Sequence, residues 1–397
     1  MIEALHIAGI VIPLGAAVLT LPGSLELLLV TVGGVLPVRR STASRRTFKR
    51  LACVVPAHDE AGGIAACVAS LKAAASVHPA QIVVVADNCT DETVDIARGA
   101  GARVLERNDP EHRGKGYALD FAFQQLLADG VEAVFVVDAD SRVATNFIAE
   151  MTAALEAGAG AVQCRYLVAN PGASMRTRLM NVALLAFNVL RPRGRDRWGL
   201  SAGLLGNGFG LAADTLEQVP YRATSVVEDL EYHHLLVAAG IAVRFVDGTA
   251  VYGDMPAEGA GIKTQRARWE GGRLRMIRSQ GPRLAGQVLR GRARFIEPLL
   301  ELLLLPLGLH VALVAMALAS PQAGLRWYGA AGLALVGTHV IAAIAVGGGE
   351  PRDVAALALA PFYVFWKLCM LPSILRTARR NAPWVRTERD GKGTVRA

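Results

Sequence analysis

Asp138 and Asp140 are separated by a single residue and follow directly after the apolar run 133–137. If that run is a buried strand, its end presents two carboxylates, which are the hard oxygen ligands that Mg²⁺ or Mn²⁺ prefers. Such an ion takes only one or two protein carboxylates, so it can also hold the diphosphate of a substrate. A short acidic pair that caps a helix is the alternative. The spacing favours a site for a divalent cation and a diphosphate.

Other charged side chains lie at predicted strand ends and helix starts. Asp87 ends the apolar run 81–87, where it is either a turn residue or a ligand contact. Lys115 lies between two glycines at a predicted helix entrance, an arrangement that suits an anion. Glu228 and Asp229 begin another predicted helix, so they either cap it or supply a general base.

Signatures of several other function classes are missing from the sequence. No G-x-G-x-x-G follows the first predicted strand and no G-x-x-x-x-G-K-[ST] occurs, which excludes a dinucleotide fingerprint and a Walker phosphate loop. The glycine-rich run 206–210 is either a tight turn or a backbone loop that closes on phosphates. The five cysteines form no C-x-x-C pair, so they predict neither a zinc site nor disulfides and fit a reduced, cytosol-facing domain.

The scaffold for these residues is indicated by the alternation of apolar runs and helical stretches over residues 51–157. Short β-branched runs predict strands over 51–56, 81–87, 102–105 and 133–138, with helices near 60–76, 91–99, 115–129 and 145–157. This alternation predicts an α/β fold with a doubly wound, mostly parallel sheet, whose ligand lies beyond the carboxyl ends of the strands. Asp87, Asp138 and Asp140 are all expected at that edge.

Apolar segments flank this soluble region. Apolar residues make up 52% of the chain and charged residues 19%, and the mean hydropathy is +0.35. Residues 4–38 are long enough for one tilted, kinked span or for a short hairpin. Further apolar blocks cover 296–320, 325–347 and 354–375. We therefore expect a membrane anchor over 1–38, a catalytic domain over 39–275 and a membrane bundle over 296–375.

Arginine clusters predict the orientation in the membrane. The basic collar after the first apolar block, which includes Arg39, Arg40 and Arg45, belongs on the cytoplasmic side. Residues 276–295 carry arginines among apolar residues. Nucleic acid is a rival partner for such a stripe, but it runs into a membrane segment and better fits basic interfacial helices. The basic tail 376–397 should also stay inside. Three full spans would leave it outside, so either one block is interfacial or re-entrant, with the block around Lys367 a candidate, or the rule is overridden.

Taken in order, these motifs resemble the membrane-bound family 2 glycosyltransferases, a group that includes cellulose synthase, hyaluronan synthase and the bacterial poly-N-acetylglucosamine and chitin-oligosaccharide synthases. The resemblance covers roughly 51–275 and extends to the flanking apolar segments. It is carried by Pro56-Ala-His-Asp-Glu60, Asp87 in Asp-Asn-Cys-Thr-Asp, Gly114-Lys115-Gly116, Asp138-x-Asp140, Glu228-Asp229 and Gln265-x-x-Arg268-Trp269. The threonine that often precedes the Glu-Asp pair is Val227 here, and the apolar bundle is smaller than in cellulose synthase.

The resemblance implies a GT-A-like fold and a role for each matching residue. Asp229 would be the general base. Asp138 and Asp140 would hold Mg²⁺ or Mn²⁺, and Asp87 would contact the uridine. The remaining positions would bind the donor (Glu60 and Lys115) or the pyrophosphate and acceptor (Gln265, Arg268 and Trp269).

The sequence therefore predicts an inverting, metal-dependent enzyme that moves glucose or N-acetylglucosamine from a UDP-sugar to a saccharide or lipid-linked acceptor in exopolysaccharide biosynthesis. We expect a multi-pass protein of the bacterial inner membrane with a cytoplasmic catalytic domain. Its partners would be the lipid bilayer and a polysaccharide synthesis or export complex, and not nucleic acid. The alternatives are a single-sugar transferase acting on a ceramide- or hopanoid-like lipid and a non-catalytic membrane scaffold. The complete acidic set argues against the scaffold.

Overall fold

The computed structural model describes the backbone of residues 2–38, 46–223, 225, 227–255 and 261–369, and side chains over the same residues except 2–8, 261–273, 363 and 366–369. The basic tail 376–397 and the collar residues Arg39, Arg40 and Arg45 lie outside the described residues. The chain forms two compact units. We call residues 37–173 and 195–255 the sheet unit, and residues 1–36, 174–194 and 256–397 the helical unit.

The described residues form the following elements. The strands are β1 (Leu51–Ala57), β2 (Gln81–Asp87), β3 (Arg103–Arg107), β4 (Ala133–Val136), β5 (Ser141–Val143), β6 (Ala161–Val168), β7 (Phe209–Ala212) and β8 (Val243–Gly253). The helices are α1 (Ile2–Val35), α2 (Ile64–Val77), α3 (Thr93–Gly99), α4 (Lys115–Ala128), α5 (Phe147–Glu156), α6 (Met175–Leu185), α7 (Arg191–Arg197), α8 (Ala213–Gln218), α9 (Glu228–Ala238), α10 (Gly261–Leu289), α11 (Ile296–Leu303), α12 (Leu307–Leu318), α13 (Ala323–Gly347), α14 (Pro351–Ala356) and α15 (Ala360–Cys369). A π-helix, Ala186–Leu190, joins α6 to α7, and 3₁₀ turns cover Ala293–Phe295 and Leu357–Leu359.

One eight-stranded sheet, in the order β3-β2-β1-β4-β7-β6-β8-β5, forms the centre of the sheet unit. Strand β1 pairs in parallel with β2 and β4, β2 pairs in parallel with β3, and β6 with β8. Antiparallel pairs join β4 to β7, β6 to β7 and β5 to β8. The α/β class and the mostly parallel sheet predicted from the sequence are confirmed.

Alternate residues of β1 enter two different layers of the core, because side chains of a strand point to opposite faces in turn. Cys53 and Val55 pack with residues of α2 and α5, whereas Ala52 and Val54 pack with residues of α4. Helices cover both faces, which is why β1, β2 and β4 are continuous apolar runs in the sequence.

Strand β4 ends at Val136, two residues before the predicted end at 138. The N–H of Val137 still donates to the carbonyl of Val54 in β1. At the next residue the ladder stops, because the N–H of Asp138 donates instead to the side-chain oxygen of Asn207, at 3.1 Å. Asp138 and Asp140, the predicted metal ligands, therefore lie on a loop just beyond the strand.

Helix α1 is continuous through Pro13 and Pro22, so the single helix and not the hairpin forms over the first apolar block. Its polar residues contact α13. Thr20 is hydrogen-bonded to the hydroxyl of Tyr328 at 2.8 Å, and Thr31 to His339 at 2.7 Å. Each pair is separated by 308 positions in the sequence. Helices α1 and α13 therefore run parallel and in step.

Helix α12 runs antiparallel to α13. Val314 lies against Gly332 and, further along α12, Leu318 lies against the earlier Gly329. By length and composition, two described helices can cross a membrane: Gly9–Val35 within α1, and α13. The pair 293–303 and 307–318 is bent by 85°, and it adds a third if it is one broken span. Of the predicted block 354–375, the part up to residue 369 is described, as α14, a 3₁₀ turn and α15.

The segment 174–194 belongs to the helical unit, although its sequence lies between two strands of the sheet unit. It packs closely there: a β-carbon at Gly347 would lie 2.7 Å from Leu185, and one at Gly34 would lie 2.5 Å from Leu190. The catalytic domain predicted over 39–275 includes this segment together with the sheet. Its partners are distant in sequence, so no local pattern indicates the grouping.

Candidate active site

Lys115 contacts the loop that follows β4 and the loop that precedes β7. Its ammonium donates to Asp138 Oδ1 at 2.5 Å and to the carbonyl of Gly206. Burial lowers the pKa of Lys115, but the charges of Asp138, Glu228 and Asp229 outweigh it and raise the pKa above its ordinary value. The first residue of α4 is therefore a fixed cation beside the acidic pair Asp138 and Asp140.

The loop 205–208 is held by two buried amides that the sequence analysis did not single out. The side chain of Asn207 accepts from the N–H of Asp138 and donates to the hydroxyl of Ser141 at 2.9 Å. Gln163 donates to the carbonyls of Asn207 and Gly208 and accepts from the N–H of Leu205. The glycines of the run 206–210 indicate a loop, but only the fold shows that the side-chain amide of Asn207 holds the loop of the acidic pair.

Asp140 lies on the same loop as Asp138. Its carboxylate accepts from the hydroxyl of Ser141 at 3.3 Å. A β-carbon at Gly63, just before α2, would lie 3.2 Å from the carbonyl of Ala139. Glycine at this position therefore lets α2 begin directly against the loop.

Glu228 and Asp229 begin α9, as predicted, but neither is its N-cap, which is Val227. Asp229 Oδ1 accepts from the N–H of Leu230 at 2.8 Å. The other oxygen, Oδ2, faces the Gly206 backbone, where a β-carbon would lie 3.0 Å away. Gly206 also adopts a φ of 76°, so a side chain there would be both crowded and strained.

Burial sets the proton affinity of this carboxylate pair. It raises the pKa of Asp229 above its usual value. Burial, and secondly the charge of Asp229, raise the pKa of Glu228 to about 7. A carboxyl group whose pKa is raised toward neutrality is a better proton acceptor than an exposed aspartate.

Asp87 ends β2, and its carboxylate is braced from one side. Oδ1 accepts from Arg107 at 2.6 Å and from the amide of Asn88 at 3.0 Å. The carbonyl of Asp87 bonds His58, in the loop after β1, at 2.7 Å. In the same loop, the backbone N–H of Glu60 donates to the hydroxyl of Thr93. The predicted strand-end residues therefore meet at one edge of the sheet.

Three further ligand-type residues lie near that edge. Ligand atoms of Asp59, Cys89 and Asp91 are within 4.8 Å of one another. Asp59 accepts from the N–H of Thr90 at 2.6 Å, and Asp91 accepts from the N–H of Ala61 at 3.1 Å. These backbone bonds account for the closeness of the carboxylates without an ion.

Gln265, Arg268 and Trp269 lie on α10, in the helical unit, and their side chains are outside the described residues. The structure thus brings together Lys115, Asp138 and Asp229 at the Gly206 loop, where Asn207 also bonds the backbone of Asp138. Asp87 is held separately, by Arg107 and Asn88, at the end of β2. The structure does not bear on how the α10 residues approach these groups.

Comparisons with known proteins identify the family. The model for "Glycosyl transferase family group 2" matches residues 133–368, and "Glycosyl transferase family 2" matches residues 52–209. A "Probable glycosyltransferase YdaM" of Bacillus subtilis is 25% identical over 57% of this chain and 56% of its own length. The "Low-salt glycan biosynthesis hexosyltransferase Agl6" of Haloferax volcanii is 44% identical over 20% of this chain and 19% of its own length. The chain thus spans little more than half of the first curated relative and a fifth of the second.

A solved structure covers nearly the whole chain. The mannosyltransferase PcManGT from Pyrobaculum calidifontis, in complex with GDP-Man and Mn²⁺, has a TM-score of 0.54 over 95% of this chain and 98% of that chain. The two sequences are 18% identical. This similarity is one of fold, and it includes the flanking helices.

Proposed function

Since the chain belongs to glycosyltransferase family 2, we propose that it transfers glucose or N-acetylglucosamine from a UDP-sugar, with inversion, to a saccharide or lipid-linked acceptor. One observation carries the proposal. Lys115, Asp138 and Asp229 share the Gly206 loop: Lys115 bonds its carbonyl and Asp138, and Asp229 lies against its α-carbon. The proposed cation, metal ligand and base therefore lie around one loop.

The donor would lie along the edge formed by the ends of β1, β2 and β4. Asp87 would contact the uridine, and Glu60 the donor beside it. Lys115 would face the diphosphate, because a fixed cation stabilises the negative charge that develops on the leaving group. The loop amides hold this cation in place before the donor arrives.

The donor set of Asp138 and Asp140 fits Mg²⁺ or Mn²⁺, because two hard carboxylate oxygens on one loop leave room for water and diphosphate oxygens. When bound, such an ion would add positive charge at the leaving diphosphate. The PcManGT complex contains Mn²⁺ and GDP-Man, which supports a metal and a nucleotide sugar here. It also makes GDP-mannose a donor to include in the test.

Asp229 would take the proton of the acceptor hydroxyl as that oxygen attacks the anomeric carbon. One in-line displacement with one base inverts the anomeric centre. An α-linked donor would therefore give a β-linked product. The raised pKa of Asp229 suits this role.

The acceptor side involves the helical unit. Gln265, Arg268 and Trp269 would hold the pyrophosphate and the incoming acceptor, as the family resemblance implies. Two candidate spans, together with arginines at 278, 283, 290, 292 and 294 that the structure leaves exposed, favour an acceptor that reaches the enzyme at a membrane. Exopolysaccharide synthesis fits this placement, and a single addition to a ceramide- or hopanoid-like lipid fits it equally well.

We place the sheet unit in the cytoplasm of a bacterium, on a multi-pass inner-membrane protein. Because α1 and α13 are parallel and α12 is antiparallel to α13, the bent pair would cross once and α13 would return to the side on which α1 ends. A re-entrant block at 354–375 would then keep the basic tail inside. Cysteines introduced at exposed Gln322 and Arg352 in a cysteine-free background test this. An impermeant maleimide should label Gln322→Cys on intact cells, and Arg352→Cys only after permeabilisation; the reverse would invert the topology.

The decisive experiment incubates detergent-purified protein with UDP-glucose, UDP-N-acetylglucosamine and GDP-mannose, a membrane lipid extract and Mn²⁺, and analyses products by mass spectrometry. We expect β-linked transfer from one UDP-sugar, with the rate of the Asp229→Asn variant about 10²–10⁴-fold lower. Transfer from GDP-mannose alone would correct the donor. Absence of nucleotide release with all three sugars would favour the non-catalytic scaffold.

A further inference from the structure

Arg107, the last residue of β3, contacts three other parts of the sheet unit. Nη1 donates to Asp87 Oδ1 at 2.6 Å and to the carbonyl of His112 at 2.8 Å, and Nη2 donates to Asp109 Oδ2 at 3.0 Å. The guanidinium also lies 5.7 Å from the centre of the Tyr117 ring. Its side chain is 11% exposed and that of Asp87 is 7% exposed. The pair is thus buried, and directional hydrogen bonds of the guanidinium as well as charge attraction hold it in place.

Asn88 ties the same two segments together a second time. Its side-chain amide donates to Asp87 Oδ1 and to the carbonyl of Asp109, and its oxygen accepts from the N–H of Asp109 at 2.9 Å. The residue adopts a φ of 51°, a left-handed conformation that asparagine tolerates better than most residues. The end of β2 and the segment after β3 are therefore joined by two side chains.

The segment after β3 leads directly to Lys115. Asp109 holds its turn, because Oδ1 accepts from the N–H groups of Glu111 and His112. Gly114 then adopts a φ of 130°, and Lys115 begins α4 and reaches Asp138. Movement of Asp109 would consequently be passed to the cation of the proposed diphosphate site.

We propose that Arg107 is a positioning residue that sets both halves of the donor site at once. Its Nη1 atom orients Asp87, the proposed nucleoside contact, and its Nη2 atom holds the loop 108–114, which delivers Lys115 to the diphosphate. This inference rests on the donor roles proposed above for Asp87 and Lys115. A planar guanidinium can bond two carboxylates and a carbonyl in fixed directions, whereas a lysine ammonium acts as a point charge.

The test compares Arg107→Lys with the matched control Arg103→Lys. Arg103 lies four residues earlier on the same strand and forms its own 2.6 Å ion pair, with Asp129, on a partly exposed surface. Binding of UDP, of GDP and of inorganic pyrophosphate is measured by titration calorimetry in detergent, with kinetics and thermal stability beside it. A third variant, Asp87→Asn, removes the charge of the proposed nucleoside contact and leaves the bonds of Arg107 and Asn88 to Asp109 in place.

We expect Arg107→Lys to weaken UDP and pyrophosphate binding each by about 10–100-fold, the loss of one or two charge-assisted hydrogen bonds. The donor KM should rise by a similar factor, with kcat within about threefold and the acceptor KM unchanged. Arg103→Lys should bind both as the wild type does, and Asp87→Asn should lose UDP affinity only. This split separates positioning from a general loss of stability.

Loss of UDP affinity alone in Arg107→Lys would confine Arg107 to Asp87 and overturn the two-loop role. Unchanged binding with a lower melting temperature would make the residue purely structural. If Arg107→Lys does not fold, Asp109→Asn serves instead, and retained pyrophosphate affinity in that variant would also overturn the proposal. A wild-type protein that binds neither UDP nor GDP would instead refute the proposed function.

Discussion

The proposed site of the sheet unit and the packed helices of the helical unit hold charged side chains in different ways. In the proposed site, Lys115 begins α4 and Asp138 lies on the loop after β4, and their side chains remain 23% and 33% exposed. In the helical unit, Arg191 bonds Glu26 of α1 at 3.0 Å, and Arg178 bonds Asp353 of α14 at 3.1 Å. The Asp353 carboxylate is only 2% exposed.

This difference separates two uses of charge. The carboxylates of Asp138 and Asp140 stay partly exposed toward a ligand, and nearby side chains hold them: Lys115 bonds Asp138 and Ser141 bonds Asp140. Charges on packed helices are neutralised by one another, because an isolated charge in an apolar surrounding is costly. Substitutions should therefore cost activity in the sheet unit and stability in the helical unit.

The largest expected effect is at Asp140. Asp140→Ala removes one of two ligands of the proposed metal, so turnover should be lost while the circular dichroism spectrum and melting temperature stay close to wild type. Chelation of divalent cations should likewise abolish turnover by the wild-type protein, and added Mn²⁺ should restore that turnover. Robust activity in excess EDTA would refute the metal site.

The next effect is at Asp229. Asp229→Asn keeps the size and the bond to the N–H of Leu230 but cannot accept a proton, so turnover should fall about 10²–10⁴-fold with donor affinity largely kept. Single-turnover rates and UDP binding measure the two separately. Near-wild-type turnover would make Asp229 structural and transfer the role of base to Glu228.

In the helical unit, Arg191→Ala should act on stability. It leaves the carboxylate of Glu26 without its cation, which costs on the order of 3 kcal/mol for a buried pair. We expect a lower melting temperature in detergent, with activity per folded molecule unchanged. The double variant Arg191→Ala with Glu26→Gln should recover part of the stability. A kinetic defect without a thermal shift would contradict the division between the units.

The pH dependence of transfer follows from the raised pKa of Asp229 and of Glu228, the latter to about 7. The base acts only when ionised, so kcat/KM should be full above the raised pKa and fall about tenfold per pH unit below it. An ordinary aspartate, with a pKa near 3.9, would keep the rate constant down to about pH 5. A profile that is flat from pH 8 to pH 5 would exclude this pair as the base.

The smallest effect is expected at Thr31. Thr31→Val keeps the shape of the side chain and removes two hydrogen bonds, one to His339 and one to the carbonyl of Leu27 in the same helix. Bonds between membrane helices are worth about 0.6 kcal/mol on average, so the melting temperature should fall only slightly. A shift as large as that of Arg191→Ala would show that neutral pairs, and not charges, hold these helices together.

Elements with a local signal in the sequence were predicted well. The run 81–87 has the bounds of β2, and the helices predicted near 60–76 and 115–129 form as Ile64–Val77 and Lys115–Ala128. The shared edge of Asp87, Asp138 and Asp140 followed from the rule that parallel strands end together. Arg107 and Asn207 were missed, because their partners depend on strand order. Asn207 contacts a residue 69 positions away, and no spacing along the chain reveals that.

The path of residues 174–194 limits how the two units could be exchanged by recombination during evolution. The chain leaves the sheet unit after β6, packs Leu185 and Leu190 against glycines of α13 and α1, and then returns. A recombination event that replaced residues 37–255 with those of a relative would also replace the segment 174–194. The new segment would then pack against helices of the original protein. Gly34 and Gly347 would then face unmatched side chains, as would Asp353, the partner of Arg178. We therefore expect donor specificity to diverge among relatives through substitutions within the strand-end loops, while the two units are inherited together.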